Sequence, residues 1–111
     1  MSANVIEIDA SRYEGEVLKS PVPVVLDFYS TECPPCEALA PKFESVADAF
    51  AGKVKFLKVF RQGNRELAQK LGVTGSPTLV FFKGGAEVGE RMSGEEIKKT
   101  AIKAQVEASI A

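Results

Sequence analysis

The chain has 111 residues, enough for one domain with a single core, and its 45% apolar and 26% charged content is that of a globular protein. A formal net charge of −1, with lysines and arginines scattered along the chain, argues against nucleic acid or an anionic membrane as the main partner. No apolar run reaches the length of a membrane span, and the opening stretch MSANVIEIDASRYEGE has neither a basic n-region nor an apolar h-region, so a cytoplasmic protein is expected.

In chain order, NVIEI (4–8) reads as a short strand and SRYEGEVLK (11–19) as a short helix. PVVLDFY (23–29) is a run of β-branched, aliphatic and aromatic residues, the pattern of a strand buried on both faces. From Pro34 the period changes. Leu39, Phe43, Val46 and Phe50 recur on one helical face, while Glu37, Glu44 and Asp48 point the other way. KVKFLKVF (53–60) is the next strand, and NRELAQKLG (64–72) a short helix stopped by Gly72. PTLVFFKGGAEVGERM (77–92) predicts a β-hairpin turning at Gly84-Gly85.

Ser93 and Glu96 are spaced as a capping box for a last helix running to about Ser109. Within it Ile97, Ala101, Ala104 and Ala108 share one face, and Ile102, Val106 and Ile110 lie nearly opposite. Only one stripe can meet the sheet. The second is expected to be exposed aliphatic surface, or a weak dimer contact on a protein that is mostly monomeric. The order β-α-β-α-β-α-β-β-α predicts an α/β fold in one domain over residues 1–111: a central mixed sheet of four to five strands with helices on both faces.

Chemistry concentrates in TECPPCE (31–37), which holds the only two cysteines, Cys33 and Cys36, in a chain without histidine. A structural zinc takes four ligands, typically Cys or His, which a single chain of this composition lacks, so no metal is expected. In a reducing cytosol two close cysteines are more often catalytic or redox-sensing than structural. Their position adds more than their spacing. Cys33 falls at the junction of strand and helix, where free backbone N–H groups and the helix dipole stabilise a thiolate. Pro34 and Pro35 need no helical N–H in the first turn. Cys36, one turn further in, is expected to be the less exposed of the two, as attack followed by resolution requires.

With these residues in order, VVLDFYSTECPPCEALAPKFESVA and GVTGSPTLVFFKGG give the chain a resemblance to the thioredoxin family over nearly its whole length. The resemblance implies a thioredoxin fold and a protein dithiol–disulfide oxidoreductase without a cofactor of its own. It makes Cys33 the nucleophile and Cys36 the resolving thiol. Asp27 becomes the buried carboxylate that helps move the resolving thiol's proton, and Lys58 the lysine beside it. Pro77 matches the cis-proline that faces the sulfurs, with the Ser76 backbone offered as an edge to an extended substrate. Pro41 matches the proline that kinks the helix. The implied partners are disulfide-containing proteins and a thioredoxin-reductase-type flavoprotein or ferredoxin-linked reductase.

The chain also departs from the family's pattern. Glu32-Cys33-Pro34-Pro35-Cys36 stands where W-C-G-P-C is typical, tryptophan is absent, and Tyr29 takes the place of a second tryptophan. Arg61 stands where an acidic residue is common, and Ser93 replaces a glycine. The recognition surface, including Glu32 and Pro34, is therefore changed while the chemistry is kept. Glu32 sets a negative charge beside the cysteine that must ionise. Arg61 is expected to pair with it across the rim, and the Ser76 hydroxyl to hydrogen-bond the sulfur. Two other readings stand beside the enzyme: a thioredoxin-fold binding module, and a dimer holding an iron–sulfur cluster on two C-x-x-C turns.

Overall fold

The computed structural model describes residues 3–111, so Met1 and Ser2 of the expected domain lie outside the described residues. In chain order come β1 (Val5–Glu7), β2 (Val24–Tyr29), α1 (Pro34–Ala49), β3 (Lys55–Phe60), α2 (Arg65–Lys70), β4 (Thr78–Lys83), β5 (Ala86–Glu87), β6 (Met92–Ser93) and α3 (Lys99–Ile110). The sheet runs β1-β3-β2-β4-β5, with β6 also on β4. β1, β3 and β2 are parallel, and β4 is antiparallel to β2. The expected mixed sheet is present, with six strands rather than four or five. The sixth arises because the return arm of the hairpin leaves the sheet at Gly89, whose φ of 66° is left-handed, and rejoins it at Met92.

Alternation along the central strands builds a core on each face. Val24, Leu26 and Phe28 join Leu57, Val59, Val80 and Phe82 beneath Tyr13, Val17, Leu67 and Ala68. Val25 joins Phe56, Leu79 and Phe81 beneath Leu39, Phe43 and Val46 of α1 and Ile102 and Val106 of α3. The stripe read from α1 is thus its buried face, and Phe43 meets Phe56 edge-on at 5.3 Å between ring centroids. Among the described residues no helix is long and apolar enough to cross a membrane.

Three local expectations are corrected. Residues 11–19 do not form an α-helix but a 3₁₀ turn, Ala10–Arg12, followed by a π turn, Glu14–Leu18. A segment this short, interrupted by Gly15, is too weak a helix former to resist local rearrangement. The capping box is absent as well. Ser93 is taken into β6 opposite Thr78, and α3 starts only at Lys99, after an extended Lys98 and without a side-chain cap. Finally, Ala101, Ala104 and Ala108 face solvent, whereas Ile102 and Val106 are fully buried and only Ile110 of that stripe is exposed. The bulkier stripe removes more apolar area from water, so it wins the sheet. Ile102→Ala is expected to cost about 2–5 kcal/mol in urea unfolding, while Ala104→Ser should stay within about 0.5 kcal/mol. The opposite ranking would return the packing role to the alanine stripe.

Candidate active site

Two loops at one edge of the sheet meet around the cysteines. The first leaves β2 at Tyr29 and turns through Glu32, whose φ of 52° is unusual for a residue with a side chain. It delivers Cys33 to the N-cap of α1, with prolines filling the first helical positions. Cys33 and Cys36 form a disulfide with their Cα atoms 5.2 Å apart. The Cys36 N–H donates to Cys33 Sγ at 3.2 Å, so the helix end spends one of its free donors on that sulfur. The second loop enters β4 through a cis Ser76–Pro77 bond. The Ser76 carbonyl oxygen lies 3.7 Å from Cys33 Sγ, in reach of the S–H that this cysteine carries once reduced and protonated.

The expected contrast in exposure is not found: Cys33 is 8% and Cys36 9% accessible. The loop across Cys33 shields it as much as the helix shields Cys36. The asymmetry lies instead in hydrogen bonding, with Cys33 as the sulfur that faces the helical N–H and the Ser76 carbonyl. The Ser76 hydroxyl does not serve the sulfur either. It accepts from Arg61 Nε at 2.8 Å, and among the described residues no ion pair joins Arg61 to Glu32.

On the strand that feeds the cysteine turn lies Asp27, 7% accessible, with one carboxyl oxygen lacking any hydrogen-bond partner. It shares its sheet face with Val25, the face that α1 covers, and Cys36 continues the buried stripe of Leu39 and Phe43 on that helix. Cys36 and Asp27 therefore face the same layer. In register, Asp27 sits opposite Lys58, and Lys58 opposite Glu7, a row of acid, base and acid across three strands. The Lys58 ammonium lies 5.3 Å from the Tyr29 ring centroid, and Tyr29 Oη donates to Glu7 at 2.6 Å. Burial pushes the Asp27 carboxyl up to about 7, with Lys58 pulling partly back. Burial first, then the bond to Glu7, holds the Tyr29 phenol above its ordinary value, so it stays a donor.

Residue by residue, the structure brings Cys33, Cys36, Ser76 and Pro77 together at the rim, with Asp27 and Lys58 opposite one another in strand register and Glu32 and Pro34 flanking the disulfide. Two contributors escaped sequence reasoning. Glu7 anchors Tyr29, and Gln62 Oε1 accepts from both the N–H and the hydroxyl of Thr31 at 3.0 Å, which braces the active-site turn. Nothing in their local sequence marks them; only strand register and loop packing do.

What this arrangement can do is exchange disulfides. One sulfur sits where a helix favours the thiolate, a second lies within bonding distance, and an extended backbone edge passes beside them. Comparison with known proteins gives the same class. The family model described as Thioredoxin matches residues 4–108. A thioredoxin of Peptoclostridium acidaminophilum is 38% identical over 106 residues, covering 96% of each chain. Thioredoxin 1 of a Nostoc species is 39% identical over 82 residues, covering 74% of this chain and 77% of its own. Thioredoxin C-2 of Corynebacterium nephridii is 33% identical over 101 residues, covering 91% and 94%. The chain belongs to the thioredoxin family. It is a thiol–disulfide oxidoreductase that acts on disulfide substrates and is returned to the dithiol by a reductase.

The raised Asp27 value has a measurable consequence for stability. The folded protein holds this proton more tightly than the unfolded chain, whose carboxyl stays near 3.8. Stability due to this group therefore falls as pH rises from about 4 to 7 and is lowest above that. Oxidised Asp27→Asn is expected to be more stable than wild type at about pH 8, by up to about 4 kcal/mol, with the gain vanishing below about pH 4. Urea denaturation across that range checks it. A gain independent of pH would show that the carboxyl is not held up by burial.

Proposed function

We propose that the protein reduces disulfides of other proteins in two exchanges, with Cys33 attacking and Cys36 resolving. The observation that carries this reading is the Cys33 sulfur at the α1 N-terminus, bonded by the Cys36 N–H and faced by the Ser76 carbonyl. In the first exchange the Cys33 thiolate attacks one sulfur of the target. A Cys33–target disulfide forms, and the other target sulfur leaves as a thiolate that takes a proton from water. In the second, the Cys36 thiol passes its proton to the Asp27 carboxylate, directly or through water. The resulting thiolate attacks the Cys33 sulfur, which restores the Cys33–Cys36 disulfide and expels the second target thiolate. Two electrons have passed to the target.

Each residue has a definable contribution. The helix N-terminus stabilises the attacking thiolate by about 0.3–1 kcal/mol through its dipole. An Asp27 carboxyl titrating at about 7 is matched to a proton that must be taken and given back near neutral pH. Burial makes Asp27 hold that proton, and Lys58 loosens its hold in part. The Ser76–Pro77 backbone docks an extended target segment by strand addition, with Glu32 and the exposed Pro34 opposite. The dithiol is regenerated by a thioredoxin-reductase-type flavoprotein or a ferredoxin-linked reductase. The working unit is a monomer in the cytoplasm, where a reducing environment maintains free thiols.

Insulin reduction driven by dithiothreitol tests the reading. Wild type should accelerate it and Cys33→Ser should not, while Cys36→Ser should accumulate mixed disulfides with its target. Equal rates for wild type and Cys33→Ser would overturn the assignment. Trapping by Cys33→Ser alone would reverse the two roles.

A further inference from the structure

A cavity of about 360 Å³ opens beside the active site, lined by Arg61, Gln62, Arg65, Ala68, Gln69 and Val73. Its lining contains no carboxylate. Among the described residues neither Arg61 nor Arg65 takes part in an ion pair, so two guanidinium groups face one space without a counter-charge. Arg61 gives its Nε to Ser76 Oγ and Arg65 gives its Nε to the Gln62 carbonyl, which orients both groups and leaves their terminal nitrogens. Gln62 adds to this. Its Oε1 accepts twice from Thr31, so its amide NH₂ is the end left to donate. Buried Ala68 and Val73 supply apolar wall, against which a charge-assisted bond is less screened than in open water.

The cavity is also tied to both active-site loops. Gln62 holds Thr31, two residues before Cys33, and Arg61 holds Ser76, whose carbonyl faces the Cys33 sulfur. A target strand running along Ser76 would advance about 3.3 Å per residue, which would put a side chain within a few residues of its cysteine on the side where Arg61 holds Ser76.

We propose that this cavity is a carboxylate subsite that selects target proteins carrying an acidic side chain beside the disulfide to be reduced. The planar guanidinium fork matches a carboxylate in a two-point bond, and the surrounding donors complete its shell. This rests on the exchange reading above and adds substrate choice to it. An acidic residue at the Arg61 position would repel the same target, so the arginine reverses the charge preference of the rim.

The test uses two peptide disulfides of identical sequence, one with Glu and one with Gln two residues from the cysteine. For wild type, kcat/KM for the Glu peptide should exceed that for the Gln peptide about fivefold at low ionic strength, shrinking toward parity at about 0.5 M salt. In the Arg61→Gln/Arg65→Gln double variant the ratio should fall to about one. Any effect of Arg61 on Cys33 itself scales both peptides alike, so the ratio isolates the subsite. A wild-type ratio of about one, or a ratio that survives in the double variant, would overturn the proposal. Saturable NMR shifts at Arg61 and Arg65 with inorganic phosphate, combined with a wild-type ratio of one, would make the cavity a free-anion site and equally overturn it. Failure of the wild type to reduce either peptide would instead remove the exchange reading on which the proposal stands.

Discussion

Strand β2 is hydrogen-bonded along both edges, parallel to β3 on one side and antiparallel to β4 on the other, and the rest of the molecule hangs on that double pairing. Five consecutive residues, Val24–Phe28, are buried because both faces of the strand are covered. A slip of one residue would exchange the faces of Val25 and Leu26 and turn Asp27 into the opposite core, so register is strongly specified. With register set, Asp27 stands opposite Lys58 and Leu79. The end of β2 then feeds the cysteine turn, while the start of β4 brings the Ser76–Pro77 loop to the same edge. The two loops of the active site owe their meeting to strands running in opposite directions side by side.

The same strand carries the molecule's main electrostatic tension. A carboxyl on a buried strand would ordinarily be replaced by an apolar side chain, since desolvation disfavours its charge. In the mechanism proposed above, that disfavour becomes useful, because it would hold the proton affinity near neutral pH. Glu7 on the edge strand, Lys58 and Asp27 form a row across three strands, with the Lys58 ammonium over the Tyr29 ring. Glu7 and Tyr29 hold one another by a hydrogen bond, so the lysine is poised between a surface acid and a buried one. At the rim, Cys33 caps the N-terminus of α1, and Arg61 is turned toward Ser76.

Much of this is legible in the residues alone, and the limit has a physical cause. The apolar spacing of Leu39, Phe43 and Val46, the strand run VVLDFY and the C-x-x-C at its end are short-range patterns, and they survive folding because local preference and packing agree. The resemblance to thioredoxins extends that reach to Pro77, which has no local mark of its cis bond, and to Asp27. The errors fall where tertiary contact overrides local signal. Ser93 looks like a helix cap but pairs with Thr78, and α3 buries Ile102 and Val106 because the sheet selects the bulkier of two available stripes. Arg61 finds Ser76 rather than Glu32, and Gln62 finds Thr31, through loop geometry that no spacing rule encodes.

On the proposed mechanism, the buried Asp27 carboxyl serves the resolving Cys36. Rapid mixing of the reduced protein with a single-disulfide peptide, with the decay of the Cys33 mixed disulfide followed against pH, isolates that role. The decay should accelerate through a midpoint near the Asp27 pKa of about 7, and Asp27→Asn should remove this inflection and slow the step about tenfold or more. Identical decay rates and pH profiles for wild type and Asp27→Asn would contradict it.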